Sequence, residues 1–168
     1  LHVPAWRFYA DDTRFALATA GRRGAKTYTG ARRFLRKIAQ DYERLRHLPY
    51  DPGAFASAAR SKKHAAIWWQ RPPRLHYMVL AEVGRLLKEP KKYIMQFLPA
   101  ALVEHTNSGN NQIWLRGDIL IEFVTAHDPK RNVGSGLNGI WVEEAARVRS
   151  AAWQGFISPM LSDKQGRA

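Results

Sequence analysis

Apolar and polar positions divide the chain into short alternating elements. Residues 14–19, "RFALAT", make a brief apolar run ahead of a glycine-bearing turn and predict a buried strand. Beyond the turn, Leu35, Ile38, Tyr42 and Leu45 recur at the spacing of one helical face, and Arg33, Lys37, Gln40 and Arg44 line another. That period predicts a helix over 27–46. The stretch 47–63 mixes prolines, a glycine and small residues, and predicts a loop with a short helical piece. "HAAIWW", 64–69, predicts a second buried strand, stopped by the two prolines that follow. Leu75, Met78, Val79, Glu82 and Leu86 return to helical spacing and predict a helix over 75–88, which "EPKK" breaks before a further turn at 93–98. Two alternating runs around Gly117 in "QIWLRGDILIEFV", 112–124, predict a β-hairpin. A polar, glycine-rich loop at 126–138 leads into "GIWVEEAARV", a buried strand ending at Glu143–Glu144 and then a helical turn. The closing residues predict a helix and a proline-marked turn. Strands alternating with helices imply an α/β fold, with a largely parallel central sheet flanked by helices.

Composition narrows the function. The chain has 168 residues, 45% of them hydrophobic, which is enough for one folded domain with its own core. Lys and Arg number 27 against 14 Asp and Glu, for a net charge of +13. The excess is uneven: residues 1–63 carry 14 basic and 5 acidic side chains, and the remainder 13 and 9. Such a charge points to a polyanionic partner, nucleic acid first, through phosphate neutralisation. The Arg33, Lys37 and Arg44 row is a candidate DNA contact; its other reading is a solvated helix face. With no cysteine there is no disulfide or thiolate metal site. The histidines are scattered without a metal-ligand spacing. No apolar run reaches the ~20 residues that span a bilayer, and the first residues lack the pattern of a signal peptide. Residues 116–118, Arg-Gly-Asp, read as a tight hairpin turn rather than a receptor ligand. The chain opens on Leu1 instead of Met, so the natural N-terminus is expected to lie upstream.

The first chemistry-bearing stretch is "TAGRRGAKTYTG", 19–30. The phosphate-loop pattern is G-x-x-x-x-G-K-[ST], set between a strand and a helix. Lys26 and Thr27 fill its last two places, but Ala20 and Ala25 stand where the pattern has glycine, and Gly21 and Gly24 sit one place off. In such a loop the backbone of 21–27 (Gly21, Arg22, Arg23, Gly24, Ala25, Lys26 and Thr27) would cradle the phosphates of ATP. Lys26 would reach the β- and γ-phosphates, and the Thr27 hydroxyl would ligate Mg²⁺. The second stretch is the strand end at Glu143–Glu144, where two adjacent carboxylates follow an apolar run. The first would hold the Mg²⁺ sphere, partly through water, and the second would polarise an attacking water. The local reading of each is plainer: a basic glycine turn, and acids that complement a helix dipole.

Taken in order, these segments resemble the large subunit of the tailed-phage terminase, the DNA-packaging ATPase, over nearly the whole chain. "RFALATAGRRGAKTY" is similar to the family's strand and arginine-bearing Walker A. "AAIWWQRPP" is similar to its aromatic strand and turn. "IWLRGDILIEFVTAHDPKRNVGSGLNGIWVEEAARV" is similar to its hairpin, glycine-rich loop and Walker B. The resemblance implies a P-loop NTPase of the ASCE type, one ATPase domain over 1–168 with a β-hairpin added to the sheet. It implies Lys26 and Thr27 as the Walker A lysine and hydroxyl, Arg22 and Arg23 at the γ-phosphate, Glu143 with Mg²⁺ and Glu144 as the catalytic glutamate. Arg131 falls where some members place an arginine finger that acts on the neighbouring subunit; its other reading is a solvated loop charge. The resemblance agrees with ATP and Mg²⁺ as cofactors and narrows the nucleic acid to double-stranded DNA; a portal and a small terminase subunit as partners, and a homo-oligomeric ring, follow from the resemblance alone. So does a place in the host-cell cytoplasm, transiently at the procapsid portal, with neither secretion nor a membrane involved.

The departures are also specific. Alanine at position 25 would cost roughly 1–2 kcal/mol if the site needs a positive φ. Glu143 replaces the family's usual aspartate with a carboxylate one methylene longer. Trp6 stands where the family often carries an adenine-reading glutamine; its expected role is core burial, with stacking on the base as the other reading. The chain ends before the family's coupling motif and nuclease domain, so a domain truncated at its C-terminus and without nuclease activity is expected. Two other functions stay open: another P-loop DNA motor such as a helicase, and a nucleic-acid-binding domain whose ATP site has decayed.

Overall fold

A computed structural model describes residues 3–19, 25–50, 73–126 and 136–163. Helix α1 (Val3–Ala10) leads through an irregular stretch toward the long helix α2 (Lys26–Leu45). Strand β1 (Leu75–Ala81) runs through a short 3-10 turn, Gly84–Leu87, into α3 (Lys88–Phe97). Three strands follow, β2 (Val103–Asn107), β3 (Gln112–Leu115) and β4 (Ile119–Thr125), and then β5 (Gly139–Glu143). The last described residues form a helical stretch through Ser150–Ala152, Trp153–Ile157 and Ser158–Asp163, widened to π geometry in its middle.

The five strands of the described residues form one sheet in the order β2-β3-β4-β1-β5. β4, β1 and β5 are parallel, and β2–β3 and β3–β4 are antiparallel. The largely parallel sheet expected from sequence is found over β4, β1 and β5, and the hairpin strands add the antiparallel part. That hairpin pairs Leu115 with Ile119 around Gly117, whose φ of 87° is open to glycine at little cost.

The expected helix over 75–88 is instead an interior strand, β1, followed by the 3-10 turn. All seven residues of β1 are buried, because β4 and β5 flank it and helices cover both faces. A strand with no solvent face reads as a continuous apolar run, and its two-residue period vanishes from the sequence. Leu75, Tyr77 and Val79 pack toward Phe34 and Ile38 of α2 and Ile94 of α3. Met78 and Leu80 pack on the other face with Ile140, Ile157, Met160 and Leu161. Each such side chain contributes about 1.5–3 kcal/mol of burial. "EPKK" begins a helix instead of breaking one. Pro90 is the third residue of α3, where the missing N–H has no intrahelical acceptor to lose.

The predicted strand at 14–19 carries no sheet pairing among the described residues. Phe15 and Leu17 are 54% and 77% exposed. The carbonyl of Phe15 accepts from the Thr13 hydroxyl at 3.0 Å, and that of Thr13 from Arg33 at 3.3 Å, so side chains take backbone acceptors a ladder would use. The strand predicted at 64–69 and most of the loop at 126–138 lie outside the described residues.

The basic row on α2 is largely internal. Arg33 donates to the carbonyls of Phe8 at 2.9 Å and Asp11 at 2.8 Å, and Lys37 pairs with Asp12. Both cations are buried and lock α1 and its following turn onto α2. The Thr13 backbone N–H, before the Arg33 charge, holds the Asp11 carboxyl below its ordinary value, and the Lys37 hydrogen bond does the same for Asp12. The expected DNA contact through this row fails for Arg33 and Lys37. Arg44 alone is exposed, paired with Asp41 at 3.2 Å.

Candidate active site

The site is built where α2 starts and β5 ends. Residues three apart share a helix face, and residues two apart share a strand face. Thr27 and Gly30 on α2 therefore meet Trp141 and Glu143 on β5. Gly30 is required for that approach: a Cβ there would lie 3.0 Å from Trp141 Cζ2 and 3.1 Å from Cε2. With the helix this close, the Thr27 hydroxyl donates to Glu143 Oε1 at 2.7 Å. The contact joins residues 116 positions apart in sequence.

Burial pushes the Glu143 carboxyl above the ordinary carboxylate range. The Thr27 hydrogen bond opposes the shift, the neighbouring Glu144 charge adds to it, and Lys26 draws it back. Glu144 follows with φ 50° and ψ 54°, a left-handed conformation that costs a non-glycine residue about 1–2 kcal/mol. Strain of this kind gathers at working sites, where surrounding structure maintains it. Here Arg147 pairs with the Glu144 carboxylate at 2.6 Å and lies 3.9 Å from Glu82, just past β1.

Ala25, immediately before α2, is also left-handed, with φ 53° and ψ 24°. Position 25 thus has the backbone for which the phosphate-loop pattern uses glycine. Its carbonyl accepts from the Thr29 N–H at 2.9 Å, so it begins the helical ladder. Among the described residues no side chain caps the helix, leaving the first-turn N–H groups directed at the space beyond. That space is an open cavity of about 1290 Å³, lined by 15–19, by Ala25, Lys26 and Thr27, and by 138–147. It exceeds the ~300–1,000 Å³ common for small-ligand sites.

Ala25, Lys26, Thr27, Glu143 and Glu144 are therefore brought together around one cavity. Gly21, Arg22, Arg23, Gly24 and Arg131 lie outside the described residues. Trp6 is not in the core: it is 55% exposed on α1, 5.5 Å from the Tyr9 ring, and does not line the cavity. Sequence reasoning did not single out Gly30 or Arg147. Their signals were present as T-x-x-G opening the helix and an arginine three residues after the second acid.

The Thr27 hydroxyl and Glu143 carboxylate are hard oxygen donors already at one point in space. Mg²⁺ keeps most of its waters and takes one or two carboxylates plus substrate phosphates, so this pair fits it. Among the described residues no cluster of three or more His, Asp or Glu could hold a metal unaided. An ion here would share its coordination with phosphate oxygens. Nor, among the described residues, is any helix long and apolar enough to cross a membrane.

No protein-family model matches the chain. No curated protein matches it. Two solved structures do, both of the large terminase ATPase domain of Thermus phage P74-26, one of them a single-substitution mutant. The mutant superposes with a TM-score of 0.62 and the other with 0.61, each at 14% identity over 100% of this chain. The chain spans 63% and 62% of those two chains' lengths. At this identity the likeness establishes the fold: the described residues have the fold of a phage large terminase ATPase domain.

Proposed function

We propose that the chain is the ATPase domain of a viral DNA-packaging motor, hydrolysing Mg-ATP to drive double-stranded DNA into a procapsid. The observation that carries this reading is the 2.7 Å contact between Thr27 and Glu143 at the mouth of an open cavity. It joins the hydroxyl of a phosphate-loop sequence to the first acid of a strand-end pair, as an ATP site requires. Fold likeness to a terminase ATPase domain supports the same class.

In this reading the start of α2 receives the phosphates, with backbone N–H groups and Lys26 neutralising their charge. Thr27 and Glu143 hold Mg²⁺, which when bound draws charge from the β- and γ-phosphates. Glu144 orients and deprotonates the attacking water. Its left-handed backbone separates its task from that of Glu143, and Arg147 fixes its carboxylate meanwhile. Arg22 and Arg23 are assigned to the γ-phosphate and Arg131 to a neighbouring subunit's site, where such an arginine can contribute ~10³–10⁵ in rate. That last role needs a ring of copies. The portal, the small terminase subunit and the host cytoplasm complete the proposal.

Ala25 favours a second reading, in which the domain binds nucleic acid and its ATP site has lapsed. Its strained backbone carries a methyl group into the phosphate side of the cavity. Calorimetry with Mg-ATP and steady-state turnover separate the two. The motor reading expects binding by the wild type, its loss in Lys26→Ala, and binding without turnover in Glu144→Gln. Absence of binding at millimolar ATP would defeat the motor reading, and binding of a DNA duplex by the same sample would then carry the second.

A further inference from the structure

A second cavity, of about 590 Å³, opens on another part of the molecule. One wall is the first turn of α3, with Lys88 and Lys91; the other is the β2–β3 turn, with Asn110 and Asn111. Its floor is the carboxyl end of β4, from Glu122 to Thr125. Among the described residues, neither lysine has a carboxylate partner, and neither has Arg85 on the preceding turn. Lys91 instead lies 5.5 Å above the Phe123 ring.

Among the described lining residues the one carboxylate, Glu122, is already engaged. Glu122 Oε1 accepts from Gln112 at 2.6 Å, and Oε2 meets His76 Nε2 at 2.7 Å. Burial raises the Glu122 pKa, but the His76 and Gln112 hydrogen bonds bring it below its ordinary value, so it stays an anion; it pairs with neither lysine, and both its oxygens are taken by His76 and Gln112. The turn opposite is held by the Asn110 N–H bonding to the Asn107 side chain at 3.1 Å, and by Asn111 at φ 52°. The cleft therefore presents two cations to two exposed side-chain amides across an open channel. Lysine ammonium and asparagine amide groups are among those that contact nucleic-acid phosphates. Single-strand sites add exposed rings on which bases stack. Among the described residues the only aromatic in the lining is Phe123, which is 5% exposed and covered by Lys91.

We infer that the cleft between α3 and the β2–β3 turn seats the phosphate backbone of double-stranded DNA, with Lys88 and Lys91 neutralising phosphates and Asn110 and Asn111 donating to them. This rests on the DNA part of the function proposed above and is independent of its nucleotide part. It moves the DNA contact away from the α2 row, whose Arg33 and Lys37 are consumed internally.

The test is fluorescence anisotropy of a short mixed-sequence duplex, titrated with the chain across a salt series. Each phosphate contact contributes ~0.9 to the slope of log K against log salt, so Lys88→Gln/Lys91→Gln should lower the slope by about 2 and weaken binding at least about tenfold. Arg46→Gln/Arg149→Gln removes the same charge from exposed positions outside the cleft and should leave the slope unchanged. Asn110→Ala should weaken binding with little change in slope. Thermal melts confirm that each variant is folded. The inference is overturned if the wild type does not bind duplex, if the cleft variant keeps wild-type affinity and slope, or if the control loses as much. Preference for a single strand over the duplex overturns it equally. Mg-ATP calorimetry on the same samples keeps the two proposals apart. Duplex binding as expected with no ATP binding defeats the motor reading alone, and ATP binding with an unaltered cleft variant defeats the cleft alone.

Discussion

Replacing Ala25 with glycine should stabilise this protein, against the usual direction of that change. Ala25 has φ 53° and ψ 24°, where an L side chain costs about 1–2 kcal/mol and glycine nearly nothing. Glycine also gives the unfolded chain more freedom, which returns about 0.5–1 kcal/mol. The net gain is about 0.5–1 kcal/mol, or roughly 1–4 °C in Tm for a domain of this size. Ala39→Gly, at an exposed position inside α2, is the control. There the backbone is helical and the same exchange should cost about 1 kcal/mol. Denaturant titration and calorimetric melting of both variants measure the pair. A second readout is affinity for Mg-ATP, which should rise in Ala25→Gly as a methyl lining the cavity is removed. If both glycine variants destabilise alike, the left-handed assignment at position 25 is wrong, and with it the equation of this turn with a phosphate loop.

Three further outcomes follow from the geometry. Gly30→Ala places a methyl 3.0 Å from Trp141 Cζ2, so α2 or the indole must shift at a cost of about 1–3 kcal/mol, partly offset by better helix propensity. Tryptophan fluorescence should change and Mg²⁺-dependent ATP binding weaken; an unaltered spectrum with unaltered binding would remove Gly30 as the spacer of the site. Gly117→Ala should cost at least about 1–2 kcal/mol, since φ is 87° and the new Cβ would lie 2.6 Å from the Tyr42 ring; chemical denaturation measures it, and a neutral result contradicts the turn. The folded state of Glu143 holds its proton above the ordinary carboxylate range, so its stabilising share is present in acid and lost as pH rises through the raised value. Without Mg²⁺, Glu143→Gln should therefore gain on the wild type as pH increases across that window, by denaturation at several pH values; a gap that ignores pH would contradict the burial argument.

The elements legible in the sequence were those with one wet face or a local cause. α2 has an apolar and a polar side, and the structure places it at Lys26–Leu45 against an expected 27–46. The hairpin has a glycine whose backbone demands it. The strand ending in Glu143–Glu144 is short, apolar and terminated by charge. β1 was illegible for the opposite reason: buried on both faces and both edges, it offers no alternation, and its leucines and methionine fell into helical spacing by chance. Pro90 misled because a proline reads as a stop in a helix interior and as a start in its first turn, and only the structure distinguishes them. The α2 row misled because the partners of Arg33 and Lys37, Asp11 and Asp12, lie more than twenty residues away and approach only after α1 docks. Of the residues that line the candidate cavity, Lys26, Thr27, Glu143 and Glu144 could be named from residue type and order. What no sequence pattern supplied was the distance between Thr27 and Glu143, which depends on Gly30 meeting Trp141.

The most direct measurement is the dependence of ATP binding on Mg²⁺, by calorimetry with and without the ion, for the wild type beside Glu143→Gln and Thr27→Val. If these two side chains form the metal-bearing edge of a nucleotide site, Mg²⁺ should tighten ATP binding to the wild type severalfold or more, and the gain should largely vanish in both variants while metal-free binding persists. ATP binding that ignores Mg²⁺ in the wild type, or a gain that survives both substitutions, would show that the Thr27–Glu143 contact is a packing hydrogen bond and not a catalytic metal site.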